Sequence, residues 1–161
     1  MPISSLGAAH AAAALAALAF GLMVLAMPKG TQLHRAIGMG YATAMVAVNV
    51  TALSIYRLTG HFGPFHALAM LSLATVIAGV AAAVLRPRNW LVKHYRMMSF
   101  SYLGLLAGTT AEIAIRVPAL HVNGPARGMT IGITIAVVFT AAGAIIVPRL
   151  QRRALAALVA D

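Results

Sequence analysis

Along this chain, long apolar runs alternate with short breaks rich in Gly, Pro, His and Arg, among them "MPKGTQLHR", "LTGHFGPFH", "LRPRNWLVKH" and "VPALHVNGPARG". A helix needs about 20 predominantly apolar residues to cross ~30 Å of hydrocarbon, and the pattern predicts five such spans, at roughly 6–27, 36–57, 65–85, 94–115 and 128–148. Short connections make consecutive helices antiparallel neighbours, and the many Ala, Gly, Ser and Thr positions allow close approach in lipid. The expected fold is an all-α membrane protein, an up-and-down bundle of about five transmembrane helices with a four-helix core. It forms a single domain over 1–161, with its core at about 6–118, the fifth helix at about 128–148 and a short basic C-terminal tail at 149–161. No positively charged segment precedes the first span, and no small-residue cleavage site follows it, so it is expected to stay in the mature protein. Pro64 suits the first turn of the third helix, and Pro118 and Pro148 suit helix ends.

Within the spans, polar residues keep helical spacing. His34, Gly38, Tyr41, Met45 and Asn49 share one face of the second helix, which is expected to point inward. From His94 to Glu112 is five whole turns at 3.6 residues per turn, so both project from one face of the fourth helix about 27 Å apart. Four histidines fall at matching depths: His10 and His66 near one end of helices one and three, His34 and His94 near the other end of helices two and four.

Composition agrees with the pattern, since 61% of the residues are hydrophobic and 9% charged. The absence of cysteine excludes disulfides, thiolate metal sites, iron–sulfur clusters and covalent haem attachment through CxxCH. The formal charge of +10 raises the question of nucleic acid. However, the cations sit at helix ends. Lys29, Arg35, Arg86, Arg88, Lys93, Arg96, Arg149, Arg152 and Arg153 belong to one side of a five-span layout, and Arg57, Arg116 and Arg127 to the other. This asymmetry predicts a multi-pass protein of the cytoplasmic (inner) membrane, with the N-terminus outside and the C-terminus in the cytoplasm. The cations then meet anionic lipid headgroups, and no nucleic acid partner is implied. Trp90 and Tyr95 are expected as anchors at the inner interface and Tyr56 at the outer, with the tail "RLQRRALAALVAD" as a short interfacial helix.

Two imidazoles facing each other across a helical core are what a noncovalent b-type haem requires. On that reading His34 and His94 hold an inner haem and His10 and His66 an outer one, giving one or two haems and a path for electrons across the membrane between a donor and an acceptor that the sequence does not name. Arg35, Lys93 and Arg96 flank the inner layer and would pair with propionates, Gly38 would leave room for the macrocycle, and Tyr41 and Tyr102 would line the pocket. The same atoms support a second chemistry, in which His10, His66 and Glu112 form a ligand set for zinc or iron, or a proton site, in a transporter or small membrane enzyme. A third reading needs no cofactor: histidines near helix ends often sit in the interface, Glu112 and Arg116 can form an i,i+4 ion pair, the tyrosines can be hydrogen-bonded core residues, and the protein serves assembly or interaction. His61 and His121 lie in the outer loops and are read as ordinary loop residues. Neither enzymatic activity nor oligomeric state follows from these residues.

"LHRAIGMGYATAM" (33–45), "GPFHALAMLSLAT" (63–75) and "HYRMMSFSYLGLLAGTTAEIAIR" (94–116) together resemble bacterial predicted membrane proteins grouped as domain-of-unknown-function family 2306. The likeness covers roughly residues 6–118 and rests on His10, His34, Arg35, Gly38, Tyr41, His66, His94, Met97, Tyr102, Gly104 and Leu105. It implies a multi-helix membrane protein and leaves the activity open. In architecture alone, the histidine layout is also similar to that of the ascorbate-reducible dihaem b-type cytochromes.

Overall fold

The computed structural model describes residues 4–56, 60–116 and 125–160, with side chains at 4–56, 60–114 and 130–152. Every regular element among them is helical: α1 (Ser5–Ala26), α2 (Gln32–Leu53), α3 (Pro64–Leu85), α4 (Trp90–Arg116) and α5 (Pro125–Ala160). The ends are set by polar chemistry that hydropathy does not register. Ser4 accepts a hydrogen bond from the Gly7 amide at 3.2 Å, and Thr31 accepts one from the His34 amide at 3.0 Å. These N-caps satisfy amides that the first turn leaves without partners. The Thr31 cap starts α2 at Gln32, so His34 already lies in its first turn. At the other end of α1, the Lys29 ammonium donates to the carbonyls of Val24, Leu25 and Met27 at 2.7–2.9 Å. A cation there complements the negative end of the helix dipole, and partial burial lowers its pKa from the ordinary 10.5. Pro64 is the first residue of α3, where its missing N–H costs nothing.

Pro148 departs from expectation, because α5 does not stop there. The helix runs through the proline to Ala160, and the tail 149–160 continues it rather than forming a separate helix. Proline deprives the carbonyl four residues back, that of Ala144, of its donor, yet its own φ is helical. One lost bond is not enough to end a helix when the flanking residues keep their own. Pro118 lies outside the described residues.

The chain packs as two compact units, Met1–Val76 and Ile77–Asp161, with α3 contributing to both. In the first unit, α1 and α2 run antiparallel: His10 meets Thr51 near one end, and Phe20 packs on Gly40 further along. A Cβ on Gly40 would stand 3.4 Å from the Phe20 ring, which is ordinary contact, so this glycine is not obligatory. Tyr41, Ala42, Met45 and Asn49 are buried on α2, so the inward stripe read from the sequence is the packed face. In the second unit, Gly79 on α3 lies against Met97 and Met98 of α4, and Gly143 on α5 against Phe100 and Leu103. The turn from α3 to α4 places Arg86 (φ 47°) and Asn89 (φ 60°) in the left-handed region. Asn tolerates that region, whereas Arg does so at a cost of about 1–2 kcal/mol. The Arg86 guanidinium lies 5.3 Å from the Trp90 ring centroid, a cation–π contact that offsets part of this cost.

Among the described residues four helices, Ser5–Ala26, Gln32–Leu53, Pro64–Leu85 and the Thr130–Arg152 part of α5, are long and apolar enough to cross a membrane. The 27 residues of α4 would also reach across, but the segment is more polar, carrying Lys93, Arg96 and Glu112. Large side chains such as Leu15 (68% exposed), Leu71 (61%) and Val84 (71%) stand outward along the apolar helices. Such stripes require lipid as the solvent, and helices satisfy their backbone polar groups internally there. The protein is an all-α membrane protein.

Candidate functional site

The histidines differ most in what their Nδ1 atoms do, because that fixes which ring nitrogen carries the proton. On α4, half-buried His94 has Nδ1 2.8 Å from the carbonyl oxygen of Gly79 on α3. A carbonyl only accepts, so Nδ1 carries the proton and Nε2 presents its lone pair. The contact depends on Gly79, whose missing side chain lets α4 come close: a Cβ there would sit 2.6 Å from Met98 Sδ and 3.3 Å from Met97 Cβ. Sequence reasoning found His94 but not this acceptor, which is a backbone atom on another helix.

On α1, His10 has Nδ1 2.9 Å from Thr51 Oγ1. That hydroxyl donates back to the Ala47 carbonyl at 2.7 Å. Its single proton is thereby committed, so His10 donates from Nδ1 and also carries its lone pair on Nε2.

His66 is built the other way round. The Gly63 amide donates to its Nδ1 at 3.1 Å, so in the neutral ring the proton resides on Nε2. Gly63 is the residue before α3 and His66 the third residue within it, so the side chain reaches back to the cap amide as Glu or Gln does in a capping box. The ring stacks on Tyr56, with centroids 4.6 Å apart, and is tilted against Phe62 at 5.2 Å. It is 5% exposed, and its Nε2 is enclosed with no hydrogen-bond partner among the described residues. The pattern Gly-Pro-x-His was the available sequence signal for this cap. Tyr56, expected as an interface anchor, is 46% exposed and packs on this histidine.

The remaining candidates fall as follows. His34 is half-buried and Arg35 exposed in the first turn of α2. Gly38, one turn further, faces open space where a Cβ would be, and Tyr41 beyond it is 2% exposed. On α4, Arg96 is exposed, Tyr102 and Glu112 are half-buried, and the Arg116 side chain lies outside the described residues. His61 is exposed, with Nδ1 2.9 Å from the Phe62 carbonyl, and His121 also lies outside the described residues. Among the described residues no group of three or more His, Asp or Glu side chains that could hold a metal ion occurs, so nothing observed favours the His10, His66 and Glu112 set.

A family of predicted membrane proteins, DUF2306, matches residues 7–151. No curated protein and no solved structure matches the chain.

Proposed function

We propose that this chain, which belongs to the DUF2306 family of predicted membrane proteins, binds haem b through His94 and carries electrons within the cytoplasmic membrane. The observation that supports it is the hydrogen bond from His94 Nδ1 to the Gly79 carbonyl. Imidazoles that ligate metals nearly always donate their other ring N–H to a carbonyl, carboxylate or water, which sets the tautomer, holds the ring plane and raises ligand basicity. His94 has that arrangement.

The second axial position falls to His34, on the sequence argument of matching depth alone. Within the unit that holds His94, the exposed guanidinium of Arg96 supplies charge for a propionate. Bound haem would provide a one-electron couple whose potential is set by axial ligands, charge and burial. The outer pair, His10 and His66, is less suited to a second haem. His10 has the tautomer of a ligand, but His66 would have to surrender the Gly63 bond and move its proton before Nε2 could coordinate. The cytoplasmic membrane, with the N-terminus outside, remains the proposed location on the charge asymmetry of the loops.

The test is an absorption spectrum of protein purified from haem-supplied cells, with haem quantified per chain. Wild type should show a Soret band and one haem per chain, His94→Ala should lose it, and His66→Gln should retain it. Colourless wild-type protein, or a spectrum unchanged in His94→Ala, overturns the proposal.

A further inference from the structure

Between α3 and α4 the second unit has a surface groove of about 420 Å³, lined by Ala78, Ala81, Ala82, Leu85, Pro87, Lys93 and Met97. From Ala78 to Leu85 the helix rises roughly 10 Å, so the groove is long and narrow along the helix. Its walls are apolar throughout; Lys93 lines it with its methylene stem and is exposed near the start of α4. Three more exposed cations, Arg86, Arg88 and Arg96, belong to the same turn and the start of α4. No carboxylate lies between residues 77 and 111, and the whole chain has only two acidic side chains, Glu112 and Asp161. Glu112 is five helical turns beyond His94 along α4, about 27 Å away. The positive charge of this turn therefore has no countercharge in its own sequence neighbourhood.

From this pairing of an apolar trough with an uncompensated cationic mouth we infer a binding site for one anionic phospholipid. An acyl chain fills the trough, and the phosphate lies against Lys93 and Arg88. A second copy of the chain is the poorer occupant, since it would bring four more cations against these four. A zwitterionic lipid fills the trough equally well but carries its own ammonium to the mouth, so the headgroup decides which lipid stays.

Native mass spectrometry of the full chain, released from micelles holding equal amounts of phosphatidylglycerol and phosphatidylcholine with identical acyl chains, tests the site. One lysine near an anionic headgroup is worth about a fivefold preference. Wild type should retain phosphatidylglycerol over phosphatidylcholine by at least that factor, and Lys93→Gln should lower the ratio about fivefold. Ala81→Phe, which fills the trough, should reduce retention of both lipids. Lys93 is exposed, so its replacement leaves the fold intact and keeps the test decisive even if the phenylalanine variant fails to fold. Equal retention of the two lipids by wild type, a ratio unmoved in Lys93→Gln, or displacement of the lipid by millimolar inorganic phosphate overturns the inference.

Discussion

Gly79→Ala adds a single methyl group where α3 lies against Met97 and Met98 of α4. The new Cβ would lie 2.6 Å from Met98 Sδ and 3.0 Å from its Cγ, against the 3.4 Å at which ordinary contact begins. The methionine chain can swing aside, but the Met97 Cβ at 3.3 Å is fixed to its backbone, so the helices must also part slightly. Forcing a methyl group into a packed contact costs about 1–3 kcal/mol. Alanine returns roughly 0.5–1 kcal/mol through its better helix propensity. The net expectation is a loss between about 0 and 2.5 kcal/mol. Because the Gly79 carbonyl accepts from His94, the same parting lengthens the 2.8 Å bond and loosens the imidazole. Unfolding titrations followed by circular dichroism in mixed micelles, run as a double-mutant cycle with Met98→Ala, measure the first effect. On the haem reading proposed above, the position of the Soret band measures the second. In the Met98→Ala background Gly79→Ala should be more favourable than in wild type by at least ~0.5 kcal/mol, as expected for side chains in direct contact. A Gly79→Ala effect of the same size in the wild-type and Met98→Ala backgrounds would refute the close approach.

Further outcomes follow from the same geometry. His66→Leu, which removes the acceptor for the Gly63 amide and the stacking on Tyr56, should cost about 1–2 kcal/mol in the same titration. His66→Gln should recover part of that, because an amide oxygen at the third helical position can serve as the acceptor; equal losses in the two variants would deny the capping role. Arg86→Gly relieves the left-handed backbone but gives up the Trp90 contact, for a net change within about 0.5 kcal/mol, whereas Arg86→Ala loses the contact and keeps the strain. Identical stabilities for these two variants would contradict the reading of the turn.

Hydropathy and helical spacing carried the helices, because lipid imposes one dominant requirement on every span. The boundaries moved where local hydrogen bonding decided them: Thr31 starts α2 before the apolar run begins, and α4 starts at Trp90, ahead of the cations at Lys93 and Arg96. The buried face of α2, from Tyr41 to Asn49, was legible for the same reason that it packs, since one polar stripe on an apolar helix has to turn inward. The site was legible only as a set of histidines. Sequence spacing treats His10, His66 and His94 alike, but a ligating imidazole is made by what its other nitrogen touches. That partner is a threonine on α2 for His10, a carbonyl opened by a glycine for His94, and a cap amide for His66. Only the last was local enough to be read along the chain.

The 36 residues of α5 would measure about 54 Å if straight, well beyond the ~30 Å hydrocarbon slab. Pro148, with the unserved Ala144 carbonyl one turn before it, gives this rod a joint without severing it, directly ahead of the Arg149, Arg152 and Arg153 sequence. Bending at that point is cheaper than anywhere else along the rod. Any bend of the terminal turns toward the leaflet is therefore expected at Pro148, and replacing it with alanine should straighten the rod.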